Sequence, residues 1–220
     1  MHRIRSGLAL AFTATLAWTA PASAGKVTLG SPLTASADTI EQWPEDSAFW
    51  NVMIEGATGA MPFDGQITLI RLKGTVKPHP DPSAPPPLNE VHFQSLEPLD
   101  DGTVRVRLSS APFLVPVGIS PNTVTEYSPE NLCVKQGDFV AFNDEGGFDP
   151  MYYPNGVAFQ LFGSTPSSRM ARFTKHNSTN NGQILTPIFT AGRELLMQVV
   201  LADGPDAAFA CSGRPLQAGP

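Results

Sequence analysis

Apolar residues in this chain recur in short runs of alternating or β-branched character, two of which show a clear period of two. Thr103-Val104-Arg105-Val106-Arg107-Leu108 alternates strictly, which predicts a strand with its valines and leucine toward a core and its arginines toward solvent. Between Ile67 and Val76, apolar residues fall at both parities around Leu69 and Ile70, the pattern of a central strand covered on both faces. Runs of similar character occupy 49–55, 66–76, 90–96, 103–108, 113–117, 138–143, 157–162, 183–189 and 194–201, and turn residues separate nearly all of them. No long 3.6-residue period survives. The 22 prolines and 19 glycines are spread along the chain and interrupt any helical pattern within a few residues. Only 165–173 has room for a short helical turn. The expected fold is all-β, an antiparallel β-sandwich of jelly-roll type, forming a single domain over 25–220.

The first residues follow a different pattern. Arg3 and Arg5 precede an apolar run over 7–17, and Pro21-Ala22-Ser23-Ala24 supplies small residues in the A-x-A arrangement. Basic start, apolar middle and small-residue end read as a cleavable signal peptide over 1–24, with the mature chain starting at Gly25. A retained membrane anchor is the alternative, but a spanning helix needs about 20 apolar residues and this run is shorter. Nothing later is apolar enough to span a bilayer, so the expected product is secreted and extracellular.

Charge narrows the partners. The chain carries 14 Lys+Arg against 20 Asp+Glu, a net charge of −6, and loss of Arg3 and Arg5 makes the product more acidic still. No basic cluster exceeds an isolated pair. Such a surface repels phosphate backbones and anionic lipid, which argues against nucleic-acid or membrane-surface partners. Arg105 and Arg107 read as a solvated strand face, with an anionic ligand as the alternative.

An oxidising destination decides how Cys133 and Cys211 are read. Two cysteines with no third predict a disulfide. It closes roughly 78 residues, worth about 4 kcal/mol in the loop-entropy account. A free thiol nucleophile is the competing reading, and neither cysteine has a peptidase-like surround. The segment 77–87 contains six prolines and is expected to be an extended, exposed, semi-rigid excursion. It reads as a tolerated insertion or as a ligand for a partner's aromatic groove.

Potentially chemical residues are densest after Asn131. Asn131-Leu132-Cys133-Val134-Lys135-Gln136-Gly137-Asp138-Phe139-Val140-Ala141-Phe142-Asn143 reads as strand, Gln-Gly-Asp turn and strand, and Asp144 to Tyr153 follows as a loop. This stretch, of the form C-V-K-x-G-D-x-V-A-x-N-x-x-G-G, resembles uncharacterised secreted β-rich proteins common in actinobacterial genomes. The similarity extends upstream to Gly30-Ser31-Pro32-Leu33 and downstream to Asn177-Ser178-Thr179-Asn180-Asn181-Gly182. The resemblance implies a single sandwich domain behind a signal peptide, and it carries no activity onto any residue.

Three readings compete for the loop itself. Asp144, Glu145 and Asp149 with loop carbonyls offer oxygen ligands for Ca²⁺, although their spacing is not that of the D-x-D-x-D-G loop. Tyr152 and Tyr153 beside carboxylates and amides suit a sugar platform. A solvated turn is the plain alternative. Trp50 opens a strand and is assigned to the core, whereas Trp43 precedes Pro44 in a polar segment and joins the candidate glycan-binding residues if exposed. Asn177-Ser178-Thr179 is formally a glycosylation sequon, and Asn180-Asn181-Gly182 is a turn signal.

Familiar enzyme signatures are missing. Gly118-Ile119-Ser120-Pro121-Asn122 lacks the final glycine of a G-x-S-x-G elbow, and there is no H-E-x-x-H. His79, His92 and His176 have no ligand-like spacing. The expectation is a secreted, non-catalytic binding or envelope-associated module that recognises extracellular or cell-wall glycan through Trp43, Tyr152 and Tyr153. The alternatives are a glycoside hydrolase with a carboxylate pair, whose separation is purely spatial, and a structural protein without a small ligand.

Overall fold

The computed structural model describes residues 25–146, 148–175, 179–203 and Cys211. The expected signal peptide, His176 and the Asn177-Ser178 part of the sequon lie outside the described residues. Among the described residues every element is a strand: β1 (Lys26–Gly30), β2 (Thr39–Gln42), β3 (Ser47–Ile54), β4 (Ala57–Thr58), β5 (Gly65–Lys73), β6 (Thr75–Val76), β7 (Glu90–Pro98) and β8 (Val104–Ser109). There follow β9 (Phe113–Leu114), β10 (Val124–Tyr127), β11 (Cys133–Val134), β12 (Phe139–Asp144), β13 (Ala158–Thr174), β14 (Ile184–Leu185), β15 (Ile188–Leu195) and β16 (Met197–Ala202).

The smaller sheet runs β1-β16-β5-β10, with β11 also on β5. The larger runs β14-β8-β7-β12-β3-β13-β15, with β2 and β6 against β13, β4 against β3 and β9 against β7. All of these strand pairings are antiparallel. No helix among the described residues is long and apolar enough to cross a membrane. Cys133 and Cys211 form the expected disulfide, with Cα atoms 5.1 Å apart, and fasten the distal end of the chain to β11.

Side-chain alternation explains where the core sits. One large cluster draws Ile67, Ile70 and Leu72 of β5 and Val199 and Leu201 of β16 together with Phe49 of β3, Phe93 of β7, Phe142 of β12 and Met170 of β13. The neighbours of those larger-sheet residues point the opposite way. Trp50, Ala141, Ala171, Leu96, Val104, Val106 and Leu185 form a second cluster on that other face. Trp50 has Ala141 directly across from it on one side and Ala171 on the other, and these two small residues leave room for the indole. Residues 179–185 close over this face: Gln94 Nε2 donates to the Thr179 carbonyl, Gly182 N to that of Val106 and Val106 N to that of Gln183.

Two expectations need correction. The segment 165–173 is not helical but lies within β13, where the pairing with β15 shifts register between Ser164 and Arg169. That irregularity accommodates Pro166, which has no N–H to donate to a ladder. The 67–76 run is not a strand covered evenly on two faces. Opposite β16, Ile67 faces Leu201 and Leu69 faces Val200, so Thr68 is an extra residue that reverses the parity. The bulge brings Ile67 onto the same side as Ile70 and Leu72, all within 1 % of full burial. Val104 and Val106 point inward as expected, but into the Trp50 cluster rather than between the sheets, whereas Leu108 lies past a register shift and is only half-buried. Arg105 and Arg107 pair with Glu97, and Arg107 also with the buried Asp138, so carboxylates of the protein itself hold both guanidinium groups.

Candidate functional site

The beginning of β13 brings two distant loops side by side. Ala158 pairs with Gln42 of β2, Phe159 pairs with Val76 of β6, and Lys77 N donates to the Ala158 carbonyl. The chain entering β13 is therefore the loop of Tyr152 and Tyr153, and the chain leaving β6 is the proline-rich segment 77–87. Between them lies a groove of about 250 Å³, lined by Gln42, Pro78, His79, Tyr152, Tyr153 and Asn155 among others.

Local hydrogen bonding sets the two tyrosines. The Asp149 carbonyl accepts from Tyr152 N and Tyr153 N, the Asp149 carboxylate accepts from Met151 N, and Gly156 N returns to the Tyr153 carbonyl. Gln42 Nε2 then donates to the Gly156 carbonyl. Gly156 has φ of +89°, and a Cβ there would overlap the Trp43 carbonyl oxygen, so only glycine lets the loop close against β2. Tyr153 is buried: its hydroxyl donates to the Pro85 carbonyl at 2.6 Å and its ring meets the edge of His79 at 5.5 Å between centroids. The proline segment is exposed over most of its length and outside any strand, as expected, and it is also pinned by a tyrosine 68 residues away. On its other side it borders a second hollow, of about 210 Å³, shared with Val117.

Tyr152 stays half-buried on the groove wall. Trp43 sits behind the groove. Its indole N–H donates to Glu41 at 2.9 Å, its face carries the Arg172 guanidinium at 4.4 Å, and its backbone abuts Gly156. The fold thus gathers Tyr152 and Tyr153 on the groove and gives Trp43 a supporting position. Gln42, His79 and Asn155 were not singled out in the sequence as groove residues. His79 and the tyrosines are more than 70 residues apart, and only the meeting of β2, β6 and β13 reveals the contact.

The three acidic residues considered for Ca²⁺ engage different partners. Asp144 accepts from Gly146 N, Glu145 Oε1 lies 3.4 Å from His92 Nε2, and Asp149 caps Met151. Among the described residues no group of three His, Cys, Asp or Glu is placed to hold a metal ion. Burial pushes the Asp144 carboxyl up to about 7, with the neighbouring charges of Asp46 and Glu145 adding to the rise and the Gly146 N–H opposing it. His92 and Glu145 border a third, polar recess of about 420 Å³, together with Ser109, Ser110, Asn180 and Asn181. The Asn180-Asn181-Gly182 turn forms as the sequence indicates, closed by Gln183 N to the Asn180 carbonyl, and Ser109 Oγ ties it down through Asn181 Oδ1. No protein-family model matches this chain, and neither does any curated protein or solved structure.

Proposed function

We propose that this protein is an exported, non-catalytic binding module that takes an extracellular glycan into the groove between Tyr152, Tyr153 and the proline-rich segment. The observation that carries this reading is the groove's make-up. The half-buried Tyr152 ring and several proline rings give apolar faces, the buried Tyr153 backs them, and Gln42, His79 and Asn155 give a few convergent polar groups, the combination that sugar rings with one apolar face require. The walls are held in advance: prolines restrict one side and the Tyr153–Pro85 hydrogen bond joins it to the other, so binding orders little new structure. The Cys133–Cys211 bridge and the leader-like start support export to an oxidising compartment. The shared core between two antiparallel sheets supports reading them as the layers of a jelly-roll sandwich.

Affinity electrophoresis against a broad panel of soluble polysaccharides tests the proposal. Retardation by at least one polymer, reduced about tenfold in apparent affinity in Tyr152→Ala, is the expected result. No retardation across the panel overturns it. Release of new reducing ends from the retarding polymer would instead favour a glycoside hydrolase.

A further inference from the structure

We infer that His92, Asn143 and Glu145 form a binding site for a divalent transition cation at the end of β7 and β12, separate from the glycan groove. In the β7–β12 ladder His92 stands directly opposite Asn143. Glu145 comes two residues after Asn143, which places all three on the face opposite Val91 and Phe93.

The protonation pattern follows from the acceptors. His92 Nδ1 lies 2.7 Å from the Ser110 carbonyl oxygen, which can only accept, so Nδ1 carries the hydrogen. A neutral ring then turns the Nε2 lone pair toward Glu145 Oε1, 3.4 Å away. Two acceptors facing each other at that distance need a proton or a cation between them. A proton shared by His92 and Glu145 leaves a third group unserved. Asn143 is fully buried, its Nδ2 donates to the Ser47 carbonyl on β3, and its Oδ1 has no hydrogen-bond partner. An amide whose NH₂ is held on the β3 side directs its oxygen away from that strand, and β7 with His92 lies on the opposite flank of β12. An orphaned buried carbonyl is costly, and a cation coordinated by Nε2, the Glu145 carboxylate and Asn143 Oδ1 satisfies all three.

The donor chemistry selects the ion. One imidazole, one carboxylate and one amide oxygen suit a borderline ion such as Zn²⁺ better than Ca²⁺, which takes six to eight oxygens. A backbone carbonyl receiving the far N–H of the imidazole is the usual outer support of a metal-bound histidine. The recess bordered by His92, Glu145, Ser109 and Asn181 opens the remaining coordination positions to water.

Isothermal titration of the tag-free protein, stripped with chelator, against ZnCl₂ and separately CaCl₂ tests the inference. Binding of one Zn²⁺ per chain is expected, weakened about tenfold or more in both His92→Ala and Glu145→Gln, unchanged in His79→Ala, and accompanied by a shift of the Asn143 side-chain amide resonance. Glu145 is exposed, so Glu145→Gln remains informative should His92→Ala fold poorly. The inference is overturned by a wild-type protein that binds no Zn²⁺ at millimolar concentration, by variants that bind as well as wild type, or by an Asn143 signal that does not move. Preference for Ca²⁺ over Zn²⁺ also overturns it.

Discussion

The tyrosine groove and the His92 recess are both bounded by loops at strand ends, yet they are built in opposite ways. In the groove, the backbone N–H groups of Met151, Tyr152, Tyr153 and Gly156 all donate within the loop, and the buried Tyr153 hydroxyl has its acceptor on the proline segment. Its shape is therefore fixed before any ligand arrives, and what it offers is ring faces. Beside the recess the sheet register leaves polar groups with incomplete partners: Asn143 Oδ1 and, on the same face, Gln94 Oε1 are buried without a hydrogen bond. A satisfied surface recognises by shape, whereas an unsatisfied one asks for a charged or polar guest.

The largest expected effect falls on the hinge of the groove. Gly156→Ala forces a side chain into the Trp43 carbonyl at a positive φ, and about 3 kcal/mol or more of stability should be lost in urea unfolding, together with glycan retardation. Zn²⁺ affinity measured on the fraction that remains folded should be unaltered. A coupled loss of both would show that the two regions are one.

Next comes Asp144, which lies beside the recess. Its folded carboxyl titrates at about 7 and its unfolded one near 3.8, so between those values the folded chain keeps a proton that the unfolded chain has released. The stability this group contributes is complete below about pH 4 and is lost as pH rises to about 7, an effect on the order of 4 kcal/mol. In thermal melts with chelator present, Asp144→Asn should gain on the wild type steadily from pH 4 to pH 7. A constant difference across that range would refute the assignment.

Smaller effects separate ring face from scaffold within the groove. Tyr152→Ala should weaken polysaccharide binding about tenfold, roughly 1.4 kcal/mol, with a melting temperature lower by only a few degrees, since the half-buried ring rests on the edge of the core. Tyr153→Phe keeps the ring and removes one hydrogen bond, so about 1 kcal/mol of stability should go. Hydrogen exchange should quicken around Ala84 and Leu88, the nearest non-proline positions to the Pro85 carbonyl that Tyr153 holds. Binding lost in Tyr153→Phe but not in Tyr152→Ala would move recognition from the ring to the proline segment.

Particular residues show which parts of this arrangement a reader of the chain recovers. Strands β7, β8 and β12 are legible because period-two alternation is a local property, and so is the Lys135–Asp138 turn, where Lys135 N donates to the Asp138 carboxylate and Gly137 takes φ of +90°. Strands β1, β2 and β10 carry too few large apolar residues to stand out from loops. The bulge at Thr68 leaves no trace in the local pattern, since only the partner strand defines which residue is extra. Tyr152 and Tyr153 are legible as end-loop residues, but His79 and Gln42 become their neighbours solely through the pairing of β13 with β2 and β6. Likewise, Glu145 drew notice among its acidic neighbours, while its companions His92 and Asn143 required the β7–β12 register.

By itself the chain determined its all-β character, the cysteine bridge and its net acidic charge, because each depends on composition or on local residue pattern. Tertiary structure alone decided that Trp43 supports rather than lines the groove, that the proline segment is anchored, and that an imidazole faces a carboxylate beside an orphaned amide. These are contacts between residues tens of positions apart. Their distances are set by register and bulges, and one extra residue in a strand is enough to turn a side chain from one face to the other.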